Sequence, residues 1–179
     1  FPLAELASIK GIFNATTNII LSRMENGESY EDAVKYCQSI GVAETDPTND
    51  VDGWDAAIKV AALVTVLMDT PMTPQQVSPT GIRGITSEMI TKAKADGKRY
   101  KLVCTAEKVG DKVEAIVAPQ LVDSSSPLYG MMNSSTGLTL RTDVILDYSI
   151  TLSEKPGMQG GPIETAYGLF ADFVNLAGQ

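Results

Sequence analysis

The sequence contains no histidine among its 179 residues, and only two cysteines, Cys37 and Cys104. Without an imidazole, the chain cannot form a Ser-His-Asp triad, a Cys-His pair or a zinc site with histidine ligands. Acid–base chemistry must therefore come from Asp, Glu, Lys or Tyr side chains. The two cysteines each lie in an apolar pattern. They indicate small buried side chains in a reducing compartment such as the cytoplasm, and neither a disulfide framework nor a metal site.

Long apolar runs and an excess of basic residues are also missing. The longest apolar run, residues 60–68, includes Thr65 and is about half as long as a helix that spans a bilayer. The net charge of −8 argues against nucleic acid as a partner, because phosphate binding needs a basic surface. We expect a cytoplasmic protein that binds neither membrane nor nucleic acid. The chain begins at Phe1 without a signal peptide, which is typical of a piece of a longer protein.

Helical patterns come early in the chain and strand patterns later. Helices are predicted after Asn14 to about Met24, from Ser29 to Ile40, over 54–68, from Thr86 or Ser87 to Gly97, and over 163–177. Strands are predicted at 9–13, on both sides of a turn at Gly110, and at 138–141 and 144–152. This order predicts one α+β domain over residues 1–179, with a mixed, largely antiparallel sheet packed against several helices. A Gly-x-Gly-x-x-Gly nucleotide-binding turn is missing.

The helix predicted over residues 54–68 is apolar at every position except Asp55, Lys59 and Thr65, which predicts that it is buried. Asp55 and Lys59 are four residues apart, so they lie one turn apart on the same face and can pair. The pair is either an ordinary salt bridge on the one exposed stripe or a proton-transfer pair in which Asp55 orients the amine. Composition alone leaves both interpretations open.

Four carboxylates precede this helix within nine residues, in the polar loop predicted over 44–52. They are Glu44, Asp46, Asp50 and Asp52. The cluster is either a solvated acidic loop or a site that recognises a cationic group such as a primary ammonium. The residue pattern by itself does not separate the two.

Two segments of the chain, residues 14–21 (N-A-T-T-N-I-I-L) and 43–59, closely resemble the homoserine dehydrogenase family. The second segment, with its acids and the Asp55–Lys59 pair, matches the most specific signature of that family. The similarity continues to the last helix. The resemblance implies the interconversion of L-homoserine and L-aspartate 4-semialdehyde with NADP or NAD, in a domain that is inactive without a nucleotide-binding domain. The long apolar strand face at 144–152 favours a homodimer.

The resemblance also implies roles for the charged residues of the signature. Lys59 matches the catalytic lysine, which takes the hydroxyl proton during oxidation, and Asp55 matches the carboxylate that binds the substrate and positions this lysine. Glu44 matches the acid that contacts the substrate amino group, and Asp50 matches a supporting acid. Each role is an expectation that follows from the family pattern.

Ala15 and Thr16 occupy the turn that approaches the substrate and the nicotinamide, where the family usually has Gly-Thr. Gly160 and Gly161 lie in a Gly-rich loop, which is either a simple strand-to-helix turn or backbone packed near the cofactor. This loop differs in detail from the family pattern, and Val42 stands where Tyr is frequent. These differences keep open a related dehydrogenase with another amino- or hydroxy-acid substrate. A non-catalytic dimerisation module is a further alternative.

Overall fold

The computed structural model of the protein describes residues 3–153 and 162–178. The strands are β1 (Leu6–Ile12), β2 (Ser78–Pro79), β3 (Arg99–Val109), β4 (Lys112–Val122), β5 (Thr136–Thr142) and β6 (Tyr148–Leu152). The helices are α1 (Ala15–Glu25), α2 (Tyr30–Ser39), α3 (Thr48–Val51), α4 (Trp54–Leu67), α5 (Ser87–Ala95) and α6 (Pro162–Ala177). Single turns of 3-10 helix lie at Pro74–Gln76 and Pro127–Gly130.

The six strands form one mixed sheet in the order β2-β4-β3-β1-β5-β6. All neighbouring strands are antiparallel except the short β2, which is parallel to β4. The β3–β4 hairpin turns at Gly110, whose φ of +61° lies in the left-handed region that glycine adopts at little cost. The predicted α+β class and the largely antiparallel sheet are confirmed.

Most of the core lies between one face of this sheet and the helices. Helix α4 contributes a row of small and branched side chains, namely Ala56, Ala57, Val60, Ala61 and Val64. They are at most 1% exposed, and they belong to the same cluster as Cys104 and Val117 of the sheet. A smaller cluster contains Ile12, Val103, Val122, Leu128 and Met131.

Both cysteines are buried and unpaired, as their apolar patterns predict. Burial raises the pKa of the Cys37 thiol to about 11 and that of the Cys104 thiol to about 12. Both thiols therefore stay protonated near neutral pH, and they behave as small apolar side chains.

The prediction that α4 is buried is confirmed for one side of the helix and is wrong for the other. Ile58 is 54% exposed and Val66 is 77% exposed, because this side of α4 is not covered by the described parts of the chain. Apolar side chains of α6 are exposed as well, for example those of Tyr167 and Phe170. None of the helices in the described ranges combines the length and the apolar character that crossing a membrane requires.

Candidate active site

The site begins where β1 ends and α1 starts, and Asn14 caps the N-terminus of this helix. Its extended backbone lets the side-chain oxygen Oδ1 accept hydrogen bonds from both the backbone N–H and the hydroxyl of Thr17, each at 2.8 Å. Asparagine is a preferred N-cap because its short side chain reaches these unpaired N–H groups. With Oδ1 engaged in this way, the amino group Nδ2 of Asn14 points away from α1.

Asp55 and Lys59 form an ion pair on α4, as their spacing predicts. The Nζ atom of Lys59 lies 2.8 Å from Oδ2 of Asp55, and it also donates a hydrogen bond of 3.0 Å to the backbone carbonyl of Phe13. The side chains of Lys59 and Asp55 are 49% and 31% exposed. The amine is therefore held by two acceptors while one side of it remains open.

Asn14 links this pair to Asp50 of α3. Its Nδ2 atom donates one hydrogen bond of 2.6 Å to Oδ1 of Asp50 and another of 2.8 Å to Oδ2 of Asp55. Three segments of the chain therefore meet at one amide group: the start of α1, the single turn α3 and the first turn of α4.

The environment of Asp50 favours its protonated form more than water does. Burial raises the pKa of this carboxyl, the hydrogen bond from Asn14 lowers it, and the nearby charge of Asp55 raises it again. Lys59 and the Thr16 side chain each lower the pKa. The effect of burial is the largest, so the net pKa of Asp50 is raised. A carboxyl with a raised pKa beside a charged partner is a frequent feature of functional sites.

An open apolar depression adjoins Lys59. Besides Lys59 itself, its lining includes Phe13, Ala62, Leu63, Gly137, Leu138 and Leu152. An amine that is paired with a carboxylate and lies beside an apolar wall can bind a small polar molecule and transfer a proton to or from it. Within residues 3–153 and 162–178, no group of three or more His, Cys, Asp and Glu side chains is placed to hold a metal ion.

Comparison with known proteins shows the family of the chain. The model of the homoserine dehydrogenase family matches residues 2–174 of the chain. The chain belongs to the homoserine dehydrogenase family. The resemblance inferred from residues 14–21 and 43–59 is thus confirmed over nearly the whole length.

Individual homoserine dehydrogenases match at moderate identity. The chain is 32% identical over 174 residues to the NAD(+)-dependent homoserine dehydrogenase of Pseudomonas canavaninivorans. The aligned region covers 97% of this chain and 48% of that protein. It is 36% identical over 175 residues to the homoserine dehydrogenase of Methanocaldococcus jannaschii, with coverages of 96% and 48%. The chain thus spans about half the length of these two homoserine dehydrogenases.

A solved structure shares the fold. The crystal structure of S. aureus homoserine dehydrogenase at pH 6.0 superposes with a TM-score of 0.86 at 29% identity. The match covers 99% of this chain and 44% of that chain. The α+β arrangement around the mixed sheet is therefore a fold found in this family.

Ala15 and Thr16, predicted as a turn, form the first turn of α1. Thr16 is 4% exposed, and its hydroxyl lies 3.4 Å from the backbone carbonyl of Val42, to which it donates. The Thr16 side chain is also close enough to Asp50 to lower the pKa of its carboxyl, so it belongs to the cluster. Ala15 directly follows Asn14 and is partly buried.

Glu44 is not brought into the cluster by any contact in the described part of the chain. Its side chain is exposed, and its backbone carbonyl accepts a hydrogen bond of 3.3 Å from Gln38. Asp46 is exposed and accepts from Thr48, while Asp52 pairs with Arg83. Gly160 and Gly161 lie outside the described residues.

Asn14 is the functional residue that the sequence patterns miss. It stands inside the segment that resembles the family, but its two carboxylate partners are 36 and 41 positions away. The signal that could identify it is its place directly before a helix, where an asparagine side chain commonly caps the first turn.

Proposed function

We propose that this chain is the substrate-binding and catalytic part of a homoserine dehydrogenase, which interconverts L-homoserine and L-aspartate 4-semialdehyde. One observation carries the proposal: the amine of Lys59 is held by Asp55 and the carbonyl of Phe13 at the edge of an open depression. The fit of this arrangement to alcohol oxidation supports the proposal, because that reaction needs a proton acceptor beside the hydroxyl oxygen.

Lys59 acts as the general base in the proposed oxidation. In the neutral amine, the two N–H groups donate to Asp55 and to the carbonyl of Phe13, and the lone pair of Nζ remains for the hydroxyl proton of homoserine. In the reverse direction, the third proton of the ammonium returns to the aldehyde oxygen as the alcohol forms. Asp55 stabilises the ammonium state and holds the amine in place.

The carboxylates supply the counter-charge for the amino group of the substrate. Asp50 has no Lys or Arg within ion-pair distance in the described ranges, so its charge is available to a bound ammonium. Glu44 is the second candidate for this role. Because its side chain is exposed, we propose that it turns toward the site when the substrate is bound.

The described residues of this chain fit the reacting end of a nicotinamide cofactor, and the loop with Gly160 and Gly161, predicted to bind the cofactor, lies outside them. The apolar wall beside Lys59 suits a flat ring, whereas the described ranges contain no Gly-rich turn of the kind that binds a pyrophosphate. A nicotinamide held against this wall would supply the hydride acceptor for the carbon that bears the hydroxyl. The name of the Pseudomonas relative favours NAD over NADP.

We also propose a domain organisation, a localisation and an oligomeric state for the protein. Residues 1–179 form one catalytic domain, which is inactive without the rest of the enzyme. The protein is a cytoplasmic homodimer. Exposed apolar side chains of β6, such as Ile150 and Leu152, support the dimer.

A chimeric enzyme tests the function directly. This chain replaces the matching segment of the Pseudomonas canavaninivorans enzyme, and L-homoserine-dependent reduction of NAD+ and NADP+ is measured. We expect activity from the chimera. Lys59→Ala lowers kcat about 100- to 10,000-fold, which is the usual contribution of a positioned acid–base group. Because the Lys59 side chain is half exposed, the melting temperature changes little.

Lys35→Ala is the matched control, since Lys35 is an exposed lysine on α2 whose ion-pair partner among the described residues is Asp32, at 3.6 Å. It retains the activity of the parent chimera. Wild-type kcat in Lys59→Ala would contradict the role of this lysine. Activity with other small amino alcohols in preference to homoserine would favour the alternative of a different substrate.

A further inference from the structure

Asn14 is nearly completely buried, and each polar atom of its side chain has a partner. It is 3% exposed, its Oδ1 accepts two hydrogen bonds from Thr17, and its Nδ2 donates to Asp50 and Asp55. The two donors of Thr17 fix the orientation of the amide, because a flipped amide would place its N–H groups against the N–H of Thr17. The amino group therefore has to face the carboxylates.

We propose that Asn14 is a positioning residue, whose amide holds the carboxylates of Asp50 and Asp55 side by side and thereby fixes the direction in which Asp55 presents Lys59. This inference rests on the proposed function of Lys59. Asn14 itself lies behind the two carboxylates and need not touch the substrate.

The hydrogen bonds around Asp55 show how the amide acts on the amine. A single oxygen of Asp55, Oδ2, accepts from both Asn14 and Lys59 at 2.8 Å. Lys59 also donates to the carbonyl of Phe13, the residue before Asn14. Asn14 and its neighbour thus fix both acceptors of the lysine. Oδ1 of Asp55 has no hydrogen-bond partner within the described ranges and stays available to a ligand.

The amide of Asn14 also stabilises the carboxylates of Asp50 and Asp55 beside each other, because it donates a hydrogen bond to each of them. The groups that act on Asp50 are Asn14 and Thr16 from α1 and Asp55 and Lys59 from α4. The charge of Asp50 also acts on the Cys37 thiol of α2. This thiol is neutral because burial raises the pKa of the thiol to about 11. Of these, the hydrogen bond from Asn14 is the strongest influence that lowers the pKa of Asp50. Its removal therefore raises that pKa, and Asp50 loses its charge at a higher pH.

Carbon-13 NMR titration of the carboxyl groups in the 179-residue chain tests the inference without any assay of activity. Asn14→Ser keeps a side chain that caps helices well but removes the amide donor. We expect the pKa of Asp50 to rise relative to the wild type. Asn14→Asp keeps the shape and the cap but adds a third carboxylate, so we expect an equal or larger rise. An unchanged titration of Asp50 in either variant would overturn the proposal.

Asn18→Ser is the matched control. Asn18 is a buried asparagine one turn further along α1, and its amide donates to the carbonyls of Met131 and Ser135 instead of the carboxylates. The substitution of Asn18 lowers the stability of the protein, because it leaves buried carbonyl groups without a hydrogen-bond donor. It leaves the titration of Asp50 unchanged. A rise in the pKa of Asp50 in this variant as well would reduce Asn14 to a general structural role.

The same variants in the chimeric enzyme separate this inference from the proposed function. We expect Asn14→Ser to lower kcat about 10-fold or more, the usual effect of losing a hydrogen bond to a charged group. Asn18→Ser leaves kcat near the wild-type value, because its amide contacts neither Asp50 nor Asp55. If the wild-type chimera does not oxidise homoserine, the proposed function fails, and the NMR titration still decides the role of Asn14.

Discussion

Lys101 is a completely buried lysine on β3, away from the carboxylates of the site. Its ammonium donates to Oδ1 of Asn18 at 2.9 Å and to the backbone carbonyl of Met131 at 2.5 Å. Burial lowers the pKa of Lys101 to about 8, although the charge of Glu25 opposes this. This lysine therefore joins α1 to the segment that leads into β5, and its charge carries an energetic cost near neutral pH.

The pH dependence of stability should reveal this buried amine. Between pH 8 and 10.5 the unfolded lysine is protonated and the folded one is not, so the contribution of Lys101 to the free energy of unfolding rises with pH across this interval. The two buried thiols act in the opposite direction, because Cys37 and Cys104 ionise more readily in the unfolded chain. The rise due to Lys101 is about 3 kcal/mol. Urea unfolding of the wild type and Lys101→Met measures it as the amount by which the wild-type slope of free energy against pH exceeds that of the variant. Lys112→Met, at an exposed position on β4, is the control and retains the slope. Parallel curves for wild type and Lys101→Met would contradict the assignment.

At the residue scale, local spacing predicts only part of the site. The pairing of Asp55 with Lys59 follows from helical geometry and is confirmed at 2.8 Å. The link from Asn14 to both acids is not predictable in this way, because it depends on how β1, α1 and α4 pack together. Lys101 is missed for a related reason. Strand alternation groups Tyr100, Leu102 and Cys104 on the core face but does not predict a second buried region around Met131.

At the element scale, local signals predict helix ends and turns well. Ser29 caps α2 and Thr86 caps α5, each through a side-chain oxygen that accepts a backbone N–H, and Gly110 forms the hairpin turn. The loop predicted over 44–52 contains the single helical turn α3, which is too short to show a period. The last strand begins at Tyr148 instead of residue 144, because pairing with β5 defines its length.

Gly81 sets the position of α3. An added Cβ at this residue would collide with the carbonyl oxygen of Val51 and with the backbone of Asp52. We expect Gly81→Ala to lower the free energy of unfolding by about 1–3 kcal/mol, the usual cost of overpacking, and to shift the carboxyl resonance of Asp50. Gly84→Ala is the control, because nothing lies within 4 Å of its added Cβ. Equal stabilities of the two variants in urea would show that α3 moves aside freely.

At the scale of the whole molecule, the sheet extends beyond the helices that cover it. Ile150 pairs with Leu138 and Leu152 pairs with Thr136, yet their side chains are 40% and 66% exposed. Apolar surface of this kind is unusual on an isolated monomer and is typical of an interface. The homodimer predicted from the apolar strand face is consistent with this surface and stays a prediction.

Sedimentation velocity over a range of concentrations tests the dimer. We expect the chain to self-associate and Ile150→Lys to weaken the association, because a charge on the apolar face opposes its burial. Thr151→Lys adds the same charge on the opposite face of β6 and leaves the association unchanged. A wild-type chain that sediments as a monomer throughout would disprove self-association of this chain.

The central place of β1 has a consequence for how the protein folds. This strand is the first in the chain, yet residue Ser8 pairs with Glu107 and Leu6 pairs with Thr142. During synthesis β1 must therefore wait until the segment up to β3 has been made before its first partner emerges from the ribosome. Pairings so distant in sequence slow folding and leave an apolar strand unpartnered in the meantime. We expect the nascent chain to depend on chaperones until β5 has been made.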